Sequence, residues 1–206
     1  MNNVYQQVEK DGKRLTVYYE EDAESPRDWD NLGIMYCKWN GYNLGDVQVN
    51  SMEDIYEDLA ERLNIEVKYN RNGDIAKETI NKIDSKCFIF PLYCLEHSGI
   101  SISMTSFGDP WDSGCCGSIV VLKDTLNNEC GTTDKLEAIK RLKSEVDTYN
   151  KYLNGEVYWY ECETVKTCEC CGQEVTELVD SCCGFYDMDG IVDNVPDDFK
   201  DLAKEL

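Results

Sequence analysis

The chain has 206 residues, 42% of them apolar and 11% aromatic, with 41 acidic side chains against 20 basic ones and a net charge of −21. That length and apolar content support a real hydrophobic core and exclude a solvating acidic tail. The charge opposes direct binding to nucleic acid, phosphate groups or anionic membrane, and it steers cationic partners inward.

In chain order, Met1–Gly12 is polar and ends in a turn. Arg14–Glu20 is rich in β-branched and aromatic residues and predicts a strand, and Ile34–Trp39 predicts a second. The acidic loop between them, Glu21–Asp30, bends at Ser25-Pro26. Ser51 with Asp54 reads as the start of a helix, and Met52, Ile55, Leu59 and Leu63 fall on one of its faces. Glu53, Asp54, Glu57, Asp58 and Glu61 occupy the others, giving a densely anionic exterior. Ile65, Val67 and Tyr69 alternate as a short strand before an Asn72-Gly73 turn, and Ile75, Ile80 and Ile83 predict a second helix ending before Ser85.

The stretch Cys87–Leu122 holds the only histidine, His97, and reads as three short strands carrying an irregular loop over Phe107–Gly117. Leu122–Gly131 reads as a loop. Asp134 and Glu137 resemble a capping box for the longest helix, whose stripe is Leu136, Ile139, Leu142, Val146, Tyr149 and Leu153. One such stripe suits a helix packed on a sheet, and Asn154-Gly155 stops it. A cysteine-bearing β-hairpin is expected at about 156–184, with strands Glu156–Thr164 and Val175–Ser181, and an acidic tail helix at about 196–206. The intermixing of strands and helices predicts a single α+β domain over 1–206, with a mostly antiparallel sheet, one long helix and several short ones.

The charge is polarised. Gly155–Leu206 carries 14 acidic and three basic residues, whereas Thr133–Leu153 is nearly balanced, with four acidic and five basic. Solubility alone does not require that asymmetry.

Twelve cysteines do not make this a secreted scaffold. Met1–Arg14 has no apolar h-region, no apolar run reaches a membrane span, and a chain of this size folds without staples. A reduced cytosolic setting is expected. Within it, Cys168-Glu169-Cys170-Cys171-Gly172 contains the Cys-x-x-Cys-Gly shape of a zinc knuckle, and Cys182 and Cys183 return as candidate partners on the far strand. Cys168, Cys171, Cys182 and Cys183 are therefore the candidate ligands of a structural zinc, against the alternative of free thiols. Adjacent strand residues face opposite ways, so a bulge, Cys162 or Cys170 would be needed to complete the set.

His97-Ser98 and Asp112-Ser113 carry the residue types of a base, a nucleophile and an orienting carboxylate, which makes His97, Asp112 and Ser113 weak catalytic candidates. No Gly-x-Ser-x-Gly elbow accompanies them. Cys115-Cys116 reads as ordinary buried thiols, and Trp29, Trp39, Trp111 and Trp159 as core or core-edge residues, with Trp111 the one to test.

Three stretches together carry a resemblance. They are Asp28-Trp29-Asp30-Asn31-Leu32-Gly33 with Asn43-Leu44-Gly45-Asp46; Pro91-Leu92-Tyr93 through His97-Ser98-Gly99-Ile100 to Pro110-Trp111-Asp112-Ser113-Gly114; and Asp180-Ser181-Cys182-Cys183-Gly184-Phe185-Tyr186. They resemble a family of small acidic proteins, without an assigned activity, encoded by bacteriophages and other mobile elements. The chain departs from that pattern at Cys115-Cys116 and at Cys183. The resemblance implies phage origin and a life in the cytoplasm of an infected bacterium.

Joined to the charge, this gives the expectation of an acidic inhibitor of a host nucleic-acid-binding defence system, an anti-CRISPR or anti-restriction DNA mimic. Its partner-facing carboxylates would include Glu53, Asp54, Glu57, Asp58, Asp193, Asp197, Asp198 and Asp201. The alternatives are a small phage enzyme acting on a host metabolite or nucleotide through the His97/Asp112 loops, and an accessory factor binding another phage protein. Nothing in the sequence fixes the oligomeric state.

Overall fold

The computed structural model describes residues 3–206. In chain order it forms β1 (Val4–Lys10), β2 (Lys13–Tyr19), β3 (Ile34–Cys37), β4 (Val47–Gln48), α1 (Met52–Arg62) and α2 (Lys77–Lys86). There follow β5 (Cys87–Glu96), β6 (Ile100–Ser103), β7 (Ser113–Leu122), α3 (Lys123–Cys130) and α4 (Lys135–Leu153). The chain ends in β8 (Tyr158–Thr167), β9 (Glu174–Phe185), α5 (Met188–Asn194) and α6 (Lys200–Ala203). Two mostly antiparallel sheets with interspersed helices make this an α+β fold, as expected. The chain divides into two compact units, one of Met1–Ser25 with Lys151–Leu206 and one of Pro26–Asn150. The first is built from both ends of the chain, a pairing that linear order does not announce.

In the first unit the sheet order is β1-β2-β8-β9, antiparallel throughout. Asp11 and Gly12, at φ 54° and 72°, supply the two left-handed positions that a tight β1–β2 hairpin needs. The β1 strand is absent from the expectation above because its side chains are mostly polar and exposed along an edge. Leu15 pairs with Cys162 and Val17 with Tyr160, so period-two alternation turns one face inward. That face is buried with Ile191, Val195, Phe199 and Leu202 from the C-terminal segment. Each such side chain contributes roughly 1.5–3 kcal/mol.

The tail is not the continuous helix expected over 196–206. Val195 is extended at ψ 149° because a residue before proline is driven out of the helical region. Pro196 then divides α5 from a 3-10 turn, Asp197–Phe199, that leads into α6. The Lys200 ammonium closes α5 by donating to the carbonyls of Val192 and Asp193.

In the second unit the order is β4-β3-β7-β5-β6, with only β3–β4 parallel. Its core brings Tyr36, Ile55, Leu59, Ala60, Ile83, Cys87 and Val120 together. Ser51 caps α1 by accepting from the Asp54 amide, as its sequence predicts. The long helix buries Ala138, Leu142, Val146 and Tyr149, whereas Leu136 is exposed and outside the packed face.

Four local expectations are corrected. Residues 65–69 form no strand, only a single bridge between Tyr69 and Ile75. The stretch expected as a loop from Leu122 contains α3, anchored by buried Leu126 and ended by Gly131 at φ 67°. The irregular loop after β6 stops at Asp112, so Cys115–Gly117 lie within β7. There the register passes from Leu92↔Gly117 to Tyr93↔Cys115, which leaves Cys116 as a bulge residue with its side chain buried. Finally, Trp111 is 90% exposed and Trp29 is also exposed, so neither is a core residue.

Candidate functional site

The motifs that carry the resemblance build an ionic joint inside the second unit. Arg27, whose side chain is 5% exposed, bonds both oxygens of Asp46 and reaches the Gly33 carbonyl and Glu145. Glu145 on α4 accepts from the amides of Leu32 and Gly33 at 2.7 and 3.1 Å. The second oxygen of Asp46 accepts from the Met35 amide at 2.7 Å. At Gly33 a Cβ would lie 2.4 Å from Leu142 Cδ2 and 2.9 Å from Ile119, so any side chain there forces those buried neighbours to shift. The Asp28–Gly33 and Asn43–Asp46 motifs are therefore architectural: Arg27 and Glu145 hold the backbone at Leu32 and Gly33, and Arg27 ties in the Asp46 side chain.

The His97 loops come next. His97 and Ser98 form the β5–β6 turn, with Ser98 at φ 59° and the His97 amide bonded to the Gly99 carbonyl. The Glu96 amide donates to the Asp112 carbonyl at 2.8 Å, which draws the following loop alongside. His97 Nδ1 and Asp112 Oδ2 thus stand 3.5 Å apart on open surface, their side chains 77% and 48% exposed. Ser113 donates its hydroxyl to the Asp109 carbonyl and not to His97. The Asp109 carboxylate accepts from the amides of Asp112 and Trp111, which lower its pKa and stiffen the loop. The base and the carboxylate converge, but the hydroxyl is committed elsewhere.

The β8–β9 hairpin assembles a cluster of thiols. Its last ladder pair is Thr167↔Glu174, and the turn beyond is closed by Cys168 N to Gln173 O and Gly172 N to Cys168 O, both 2.8 Å. Gly172 at φ 71° permits that turn. The sulfurs of Cys168, Cys170 and Cys171 lie within 4.8 Å of one another, and Cys168 Sγ is 3.0 Å from Cys170 Sγ. The Cys170 thiol, helped by the amides of Cys170 and Cys171, lowers the Cys168 pKa to about 7. The same contact raises that of Cys170. Three thiols so placed could bind a metal ion.

Cys182 and Cys183 do not join them. Cys182 lies opposite Tyr160, eight residues along β9 from Glu174, or about 26 Å at strand rise. The hairpin is simply longer than the expected pairing allowed. Cys183 instead faces the Glu20 carboxylate, whose charge raises its pKa. Of the two completing ligands the sequence offered, Cys170 joins the cluster, whereas Cys162 is buried in β8 opposite Asp180.

The acidic candidates divide by what already holds them. On α1, Asp54 accepts from the Asn50 amide and from Ser51, which depress its pKa, and Asp58 accepts from Tyr36 and Arg62. Glu57 accepts from the Tyr69 hydroxyl at 2.7 Å, while Glu53 is exposed. In the C-terminal segment, Asp193, Asp197, Asp198 and Asp201 are all exposed. Asp198 lies 3.7 Å from Lys13, and Asp201 is 2.8 Å from Lys204.

Comparison with protein-family models, with curated proteins and with solved structures gives no match. The phage-family likeness therefore rests on the quoted motifs alone. Among the described residues, no helix is long and apolar enough to cross a membrane.

Proposed function

We propose that this protein is a phage-encoded acidic inhibitor that acts in the cytoplasm of an infected bacterium. It occupies the nucleic-acid-binding surface of a host defence complex, a CRISPR effector or a restriction enzyme, as a DNA mimic. The observation that carries this reading is the C-terminal segment. Its apolar residues Ile191, Val195, Phe199 and Leu202 are sunk into the sheet while Asp193, Asp197, Asp198 and Asp201 are all exposed. A rigid array of carboxylates offers a basic groove a substitute for phosphates without the duplex. The α1 carboxylates are a secondary contribution: Asp54, Glu57 and Asp58 are bonded locally, whereas Asp198 and Asp201, though each has a lysine beside it, keep side chains 84% and 87% exposed. Zinc at the hairpin thiols is the cofactor in this reading.

The test is capture of host proteins on the immobilised chain at low and moderate salt. A nucleic-acid-binding protein should be retained at low salt, released as salt rises, and displaced by duplex DNA. Replacing the four tail aspartates by asparagine should weaken that retention at least tenfold. Recovery of no nucleic-acid-binding protein at low salt sinks the reading.

A further inference from the structure

The β8–β9 turn holds three thiols where a closed structural zinc site needs four ligands. We infer that Cys168, Cys170 and Cys171 form a preorganised three-thiolate site for a thiophilic d10 cation, Zn2+ or Cd2+, whose fourth position is open to an external ligand. This rests on reading the cluster as a zinc site, and adds which thiols bind and what the site leaves vacant.

The geometry argues each part. Tetrahedral zinc with bonds of about 2.3 Å spaces its sulfurs about 3.8 Å apart. The three sulfurs already lie within 4.8 Å of one another, so only small side-chain rotations are needed. The turn is closed by its own backbone bonds at Cys168 and Gly172, and the ladder below it runs on from Thr167↔Glu174. Ligand placement thus does not wait for the ion, unlike a zinc finger in which binding is folding. Cys182 and Cys183 sit too far down β9 to supply a fourth sulfur. Cys170 and Cys171 are exposed, so water or a small thiol reaches the remaining position. Binding forms three metal–sulfur bonds from three thiolates and releases whatever protons the thiols still carry, up to three, with no change of oxidation state. A site of this kind exchanges its ion and accepts a fourth thiolate from solution or from a partner.

The full chain, held reduced with a phosphine, is titrated with Zn2+ or Cd2+ alone. Uptake is followed by the thiolate-to-cadmium absorption band and the ligand set by X-ray absorption. The expected result is one ion per chain with three sulfurs and one lighter atom, becoming four sulfurs when a small thiol is added. Circular dichroism should be unchanged on binding. Cys170→Ser should leave two sulfurs and lower affinity roughly tenfold or more, whereas a Cys182→Ser/Cys183→Ser variant should bind as the parent does. Four protein sulfurs, or folding that depends on the ion, overturns the open site while leaving zinc in place. No ion bound by the reduced chain overturns both.

Discussion

Arg27 grips both oxygens of Asp46, Nε to Oδ1 at 2.8 Å and Nη2 to Oδ2 at 2.5 Å. The same guanidinium reaches Glu145 on α4, so one cation joins the loop before β3, the loop before β4 and the long helix. Burial works against the charge on Arg27, yet the Asp46 and Glu145 carboxylates hold its pKa above the ordinary value. This joint accounts for Leu32-Gly33 in one recognisable motif and Asp46 in another.

Removing the cation should therefore be costly. Arg27→Met leaves the part-buried carboxylates of Asp46 and Glu145 with backbone amides as their remaining partners. Since breaking a fully buried ion pair from one side costs about 3–5 kcal/mol, a loss of about 2–3 kcal/mol is expected. Urea denaturation should show that loss. Arg27→Lys should recover only part of it, because an ammonium cannot bond both oxygens of Asp46 in the planar forked geometry. A loss below about 1 kcal/mol for Arg27→Met would place the joint among ordinary surface pairs.

Gly117 makes a second, steric prediction. Its φ of 147° lies in a region L side chains rarely adopt, and a Cβ there would stand 1.9 Å from the Tyr36 carbonyl oxygen. Gly117→Ala must displace β3 or β7, at about 4 kcal/mol or more. Gly41→Ala is the control: at φ 85° it strains the backbone, but its Cβ meets nothing within 4 Å. Thermal melts of the two variants should separate them clearly.

Those two positions show what was legible and what was not. Helix α1 could be read because Ser51, Asp54 and a stripe at three- and four-residue spacing state the same thing locally. Strand β2 was readable from its β-branched and aromatic residues and β8 from alternation, but their partnership joins Leu15 to Cys162, and no local signal spans that distance. The bulge at Cys116 lies in the pairing of β5 with β7, which the local sequence does not show, so Cys115-Cys116 looked like part of a loop. Helix α3 hid behind Asn127 and Asn128, turn formers overridden by the packing of Leu126. At the thiol cluster the spacing of Cys168 and Cys171 gave the turn. The length of the ladder, set by how far β8 and β9 pair, decided that Cys182 stays away.

Alkali should weaken the fold in a defined window. Desolvation pushes the Cys87 thiol up to about 11 and the Cys162 thiol up to about 12, and it also raises Tyr36 and Tyr160. Each group binds its proton more tightly folded than unfolded. Stability is therefore full below the ordinary thiol pKa of 9.0 and falls as pH rises toward 11–12. The loss approaches about 1.4 kcal/mol per pH unit per thiol within that window. Urea midpoints should not fall between pH 7 and about 8.5, where the lowered Cys168 pKa favours the folded chain as pH rises, and should fall above about 9. Cys87→Ala and Cys162→Ala, each made separately, should make the decline shallower. A profile that the two substitutions leave unaltered contradicts the assignment.

Cys168 should behave in the opposite sense. Its pKa is lowered to about 7, first by the Cys170 thiol and then by the turn amides, so about half of it is thiolate at neutral pH. Cys37, Cys87, Cys94, Cys116 and Cys162 are buried and should stay unlabelled until the chain unfolds. Brief treatment of the metal-free, reduced chain with iodoacetamide, read by peptide mass spectrometry, should mark Cys168 ahead of Cys182 and Cys183. The initial rate should rise with pH and level off above an apparent value near 7. In Cys170→Ser a hydroxyl replaces the thiol that donates to Cys168. The amides of Cys170 and Cys171 remain, so the midpoint should shift without reverting to that of a free thiol. If Cys168 instead titrates near the ordinary thiol value of 9.0, the turn does not present its amides and thiols to that sulfur. The three-thiolate geometry would then lose the contact on which it is built.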